Sequence, residues 1–130
     1  MTRRGVLTAV WFTWGAGLFL LMIALTAQPA LFGSDAQKAW NWFLPNIAPV
    51  LTMVGAGAYA AQPTASPATH AGAFALALGA SIFYLTVLTG SIAATLFTPA
   101  PLTSLNNSGL WLGPLQGFAT SGLALFFVKR

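Results

Sequence analysis

Cysteine is absent from this chain of 130 residues, acidic side chains number one (Asp35), and the only imidazole is His70. Each shortage removes a class of chemistry. Without cysteine there is no disulfide, no thiolate metal site and no thiol nucleophile, and the redox compartment is left open. A lone carboxylate cannot form the pair that general acid–base or glycosidic catalysis uses. A lone imidazole cannot supply bis-histidine haem ligation or a multidentate metal site within one chain. Basic residues are few as well: four of the five, Arg3, Arg4, Lys129 and Arg130, stand at the extreme ends, so a net charge of +4 does not make the clustered cationic face that nucleic acid requires. The expectations are no enzyme, no nucleic-acid partner, no metal and no resident cofactor.

Charge of either sign amounts to 5% of the residues, against about a quarter in soluble domains, while 57% are hydrophobic. Mean hydropathy is +0.77. So little polar surface cannot cover a globule, and a bilayer is the expected solvent. A spanning helix needs about 20 apolar residues because its backbone must be bonded within the segment. Residues 6–27, 43–61, 71–97 and 109–128 meet that length. The first looks like a signal peptide behind Arg3 and Arg4, but it outruns the roughly 7–15 residues of a signal's apolar region, and no small-x-small site closes it. A retained helix is expected.

Pro45 and Pro49 are expected in the first turns of the second span, where a missing N–H costs little. The third span exceeds the hydrocarbon thickness, so it should tilt, bend near Gly79 or Gly90, or protrude. Gln62-Pro63-Thr64-Ala65-Ser66-Pro67 breaks the chain between the second and third spans. Four spans return both ends to one side, which the terminal basic residues assign to the cytoplasm. The expected fold is therefore an all-α membrane protein, one domain over 1–130, whose four transmembrane helices form two antiparallel hairpins in a compact bundle.

Trp40, Trp42 and Trp111 are expected as interface anchors in an outer aromatic belt. Trp11 and Trp14 lie deeper, where packing against a neighbour competes with an interface role, and Tyr59 would lie near the inner face. Inside the membrane the polar candidates are Tyr84, Gln116, Thr86, Thr89, Ser91 and Thr120. None is charged at neutral pH, so no proton relay or voltage sensor is expected. Interhelical hydrogen bonding is their ordinary use, and the lining of a passive pore is the sharper one. The hydroxyl of Tyr84, near mid-helix, must find a partner. His70 stands where the inner loop meets the third span, as an interfacial residue or, alternatively, an axial ligand to a pigment. Asp35 caps a helix or pairs locally with Lys38.

Gly113, Gly117 and Ser121 recur at four-residue spacing, a pattern that lets helix backbones approach closely. Gly57 with Ala61, Ala75 with Gly79, and Gly90 with Ala94 repeat it. Such faces serve contact within the bundle or between subunits, and spacing does not distinguish the two. Trp42-Phe43-Leu44-Pro45 and Trp111-Leu112-Gly113-Pro114 share a W-x-x-P pattern. It fits either a parallel duplication about an axis along the membrane normal or two separate ways of starting an inward helix.

The stretches 40–57 and 110–117, the latter reading Leu-Trp-Leu-Gly-Pro-Leu-Gln-Gly, resemble segments of small bacterial four-helix membrane proteins, some of which accompany bacterial conflict systems. The resemblance covers about a fifth of the chain and implies a bacterial inner membrane, but no activity and no catalytic residue. The function expected is a non-enzymatic structural or accessory subunit, with the lipid bilayer, further copies or other membrane proteins as partners. The alternatives are a pore-forming or membrane-perturbing effector, and a pigment- or quinone-contacting accessory subunit using His70.

Overall fold

The computed structural model describes residues 3–59 and 67–128. Among them the chain is all-helical, with four α-helices: α1 (Arg3–Thr26), α2 (Ala36–Tyr59), α3 (Pro67–Ala93) and α4 (Pro101–Val128). Short 3-10 turns, Gly33–Asp35 and Ala94–Phe97, precede α2 and follow α3.

Two helices begin well ahead of the expected spans. α2 starts at Ala36 and α4 at Pro101, so the connections at this end of the bundle shorten to residues 27–35 and 94–100. The reason is local. Ala36, Gln37, Lys38 and Ala39 are good helix formers, and Pro101 sits at the first helical position, where its fixed φ helps and its missing N–H costs nothing. Hydropathy marks where hydrocarbon would begin; the helix begins earlier. As a consequence Pro45 and Pro49 lie inside α2 and not in its first turns, and Pro114 lies inside α4. Gly33, at φ +53°, occupies the left-handed region that reverses the chain between α1 and α2.

Two helices, over Gly5–Thr26 and Gly72–Phe97, are long and apolar enough to cross a membrane. α2 and α4 are interrupted by polar residues and prolines along the same length.

α1 packs on α2, α2 on α4, α4 on α3 and α3 on α1, forming a ring. Within each hairpin the helices run antiparallel: Gly15 meets Leu51 while Gly55 meets Phe12, and Gly122 meets Ala77 while Phe74 stacks near Phe126. Between hairpins the neighbours are parallel: Trp11 to Ser81 and Trp14 to Thr89 ascend together on α1 and α3, and the antiparallel hairpins then set α4 parallel to α2. A two-fold axis relating the hairpins would set α1 against α4 and α2 against α3. Like helices lie side by side here instead, so the W-x-x-P repeat is not accompanied by that symmetry.

The core is filled by Leu7, Trp11, Met22, Phe43, Ile47, Tyr84, Leu88 and Leu123, all fully or nearly buried. The outside is apolar too. Leu20 is 67% exposed, Phe83 57%, Phe97 88%, Leu110 78% and Phe118 59%. Water would penalise such a surface, whereas lipid tails solvate it.

Candidate functional site

Two features gather the polar side chains. The first is a set of hydrogen bonds that ties all four helices together where α2 carries its prolines. Pro49 has no N–H, so the carbonyl of Pro45, four residues back, loses its helical donor. The Gln116 amide of α4 donates to that carbonyl at 3.0 Å. One residue on, the Tyr84 hydroxyl of α3 reaches diagonally across the bundle and donates to the Asn46 carbonyl at 2.5 Å. Asn46 in turn donates its side-chain amide to Trp42 O at 2.7 Å. A proline inside a helix is tolerated better when a neighbour serves the carbonyl it frees, and α4 does so here through Gln116.

The remaining bonds fasten α1. Trp11 Nε1 donates to Ser81 Oγ at 2.9 Å and Trp14 Nε1 to Thr89 Oγ1 at 2.8 Å, while Trp40 Nε1 donates to Thr26 Oγ1 at 3.1 Å. Thr26 and Thr89 pass their own protons to the carbonyls of Met22 and Leu85. Each hydroxyl is thereby used as donor and acceptor at once.

The structure thus brings Tyr84 and Gln116 together on adjacent α2 carbonyls, and uses Trp11 and Trp14 for packing. Trp40 and Trp42 are half-buried and rest against the core, whereas Trp111 is 50% exposed. The indole N–H of Trp42 is buried with no partner among the described residues. Thr86 is exposed. Asp35 lies 3.6 Å from Lys38, an exposed pair worth little. His70 and Gly57 are helical, in α3 and α2, and their surroundings lie outside the described residues. Among the described residues no cluster of His, Asp or Glu could hold a metal.

The glycines divide unexpectedly. Gly113, Gly117, Gly79 and Gly90 have nothing within 4 Å of where a Cβ would stand, and Ser121 is exposed and bonded to its own helix at Gly117 O. The stripe on α4 is not a contact within this bundle. The close approaches are Gly122 against the Ala77 backbone at 3.5 Å, Gly15 against Leu51 at 3.3 Å and Gly55 against Phe12 at 3.4 Å. Gly122 adjoins Ser121 in sequence but lies about 100° round the helix.

The second feature is a groove of about 600 Å³ between α3 and α4, at the end where the connections are short. From α3 it is lined by Val87, Gly90 and Ser91, on one helical face, and from the 3-10 turn that follows by Ala94. From α4 it is lined by Thr103, Ser104, Asn107, Ser108 and Trp111. No charged side chain reaches it. Ser91 and Ser108 donate to their own helices, at Val87 O and Leu105 O, and keep acceptor lone pairs. Hydropathy leaves 98–108 between the third and fourth expected spans, where helical spacing has no meaning, so this face does not show in the sequence.

The polar set makes its own prediction. Gln116→Leu is expected to cost about 0.5–1.5 kcal/mol, but much less in a Pro49→Ala background, where residue 49 regains the N–H that serves Pro45 O. Detergent unfolding of the four chains of this cycle measures the difference. Equal costs in both backgrounds would mean that Gln116 does not act through the freed carbonyl.

Compared with family models, curated proteins and solved structures, the chain finds no match.

Proposed function

We propose that this chain is a non-enzymatic subunit embedded in a bilayer through all four helices, which acts by packing against copies of itself or against a larger membrane protein. One observation carries the reading: Trp11 and Tyr84 spend their polar groups on partners inside the bundle, while Leu, Phe and Ile side chains point outward on every helix. A soluble bundle has the reverse arrangement. In the most apolar 18-residue stretch of the two longest apolar segments only 28% and 33% is buried, far less than a core helix of a soluble protein would show.

The first helix belongs to the bundle on this reading. Removing α1 as a signal would take Leu7, Trp11, Leu18, Met22 and Leu25 out of the core. Association is supported by the α4 stripe, where Gly113 and Gly117 face open space among the described residues and Ser121 is exposed. The bundle interior is filled with side chains, so a pore would have to run between copies. Conductance of liposomes by the chain alone would replace the subunit reading with that one.

The membrane proposed is the bacterial inner membrane, with both termini cytoplasmic, on the strength of the four terminal basic residues. The absence of native cysteine makes the test clean. In intact cells Ser34→Cys should react with a membrane-impermeant maleimide, whereas a cysteine appended after Arg130 should react only after lysis. The opposite pattern would reject this orientation, and extraction of the chain by alkaline carbonate would reject embedding itself.

A further inference from the structure

We propose that the α3–α4 groove binds an uncharged polyhydroxylated headgroup, that of a glycosylated lipid or a free sugar of the same kind. The inference rests on the membrane reading above and names a ligand class for that surface. The argument begins with what the lining lacks. With no Lys or Arg, the groove has nothing to neutralise a phosphate or carboxylate. With no carboxylate and a single aromatic ring, it does not hold a cationic headgroup either.

What it has is a row of neutral hydrogen-bonding groups. Thr103, Ser104 and Asn107 make no side-chain hydrogen bond among the described residues, and they share one face of α4. Their hydroxyls and carboxamide offer donors and acceptors together, which is what a ring of O–H groups requires. Trp111 stands one turn beyond Asn107 with half its surface exposed, presenting a flat apolar wall. A sugar ring has a C–H face for such a wall and an O–H rim for the amide and hydroxyls. Gly90, Ala94 and Ala100 keep the floor low. The volume, about 600 Å³, falls within the range of small-ligand sites.

The surroundings suit a ligand with an apolar body. Leu110 and Phe97, 78% and 88% exposed, adjoin the lining residues Trp111 and Thr98 in sequence and give acyl chains a surface to lie on. The groove stands at the end of the bundle where Trp40, Trp42 and both short connections gather, the level of headgroups in the proposed orientation.

The test uses the full chain in phosphatidylcholine vesicles with increasing fractions of diglucosyl diacylglycerol, and in a second arm the same vesicles without glycolipid in maltose. Tryptophan emission is read. A saturable change is expected with glycolipid, lost in Trp111→Phe. Asn107→Leu should move its midpoint by about tenfold, and Ser104→Ala in the same direction; both positions are outside the core, so the helical circular dichroism should persist. A response to glycolipid alone assigns the lipid as the source, and a response to both assigns the headgroup. No saturable response in either arm, or an unshifted midpoint in Asn107→Leu, overturns the proposal. So does a disulfide between copies through Ser104→Cys, which would mean that a second chain covers the groove. Carbonate extraction from the same vesicles reports separately on the membrane reading, so a chain that stays embedded but ignores glycolipid refutes the groove alone.

Discussion

Gly122→Leu is expected to lower the stability of the bundle by about 1–3 kcal/mol, while Gly117→Leu, five residues earlier on the same helix, leaves the monomer unchanged. A Cβ at 122 would stand 3.5 Å from Ala77 Cα and 3.7 Å from Leu76 O. That is ordinary contact, so Gly122→Ala should be tolerated. The further carbons of leucine run into the α3 backbone, which cannot turn aside as a side chain can. At Gly117 the same carbons meet open space. Thermal unfolding in detergent separates the two, and light scattering adds the second half of the expectation: on the proposed role of the stripe, Gly117→Leu dissociates an oligomer without unfolding its chains. A Gly122→Leu bundle as stable as the parent would show that α3 and α4 do not meet there.

Trp11→Ala should have the largest effect of any single truncation, about 3 kcal/mol or more. Trp11 is fully buried, its ring centroid lies 6.1 Å from that of Tyr84, and its indole N–H holds Ser81. On the proposed membrane reading this loss cannot be charged to the hydrophobic effect, since lipid tails are as apolar as the core. It comes from the contacts forfeited around an unfilled volume, and from the loss of one α1 anchor on α3, Trp14 to Thr89 being another. Trp11→Phe retains much of the volume and gives up the bond, so its deficit should stay near the ~0.6 kcal/mol typical of interhelical hydrogen bonds in membranes. Unfolding of the two variants decides between packing and bonding. If Trp11→Phe costs as much as Trp11→Ala, the hydrogen bond to Ser81 outweighs the packing.

The helical class and the hairpin pairing were legible because they rest on local quantities: runs of apolar residues, the breaker stretch before α3, and connections too short for anything but antiparallel neighbours. The need of Tyr84 for a partner was legible for the same reason, since a hydroxyl among apolar neighbours carries its cost wherever it goes. The identity of the partner was not. Pro49 announces in sequence that Pro45 O will lack a donor, but which side chain 71 positions away supplies it depends on α4 lying parallel beside α2. The helix starts were misjudged because hydropathy reports on solvent, whereas Ala36 and Pro101 begin helices on backbone grounds.

By itself, then, the sequence determined the helical class and the number of helices seen among the described residues, which follow from composition and from interactions within a few residues. Only the tertiary structure decided which small residues are contacts and which are bare. Four-residue spacing puts Gly113 and Gly117 on one face and Gly122 on another, but only the rotation of α4 about its own axis, set by packing along its length, turns the last onto α3 and the first two outward. The same rotation aligns Ser104, Asn107 and Trp111 opposite Ser91 and makes a groove from residues that no short-range pattern connects.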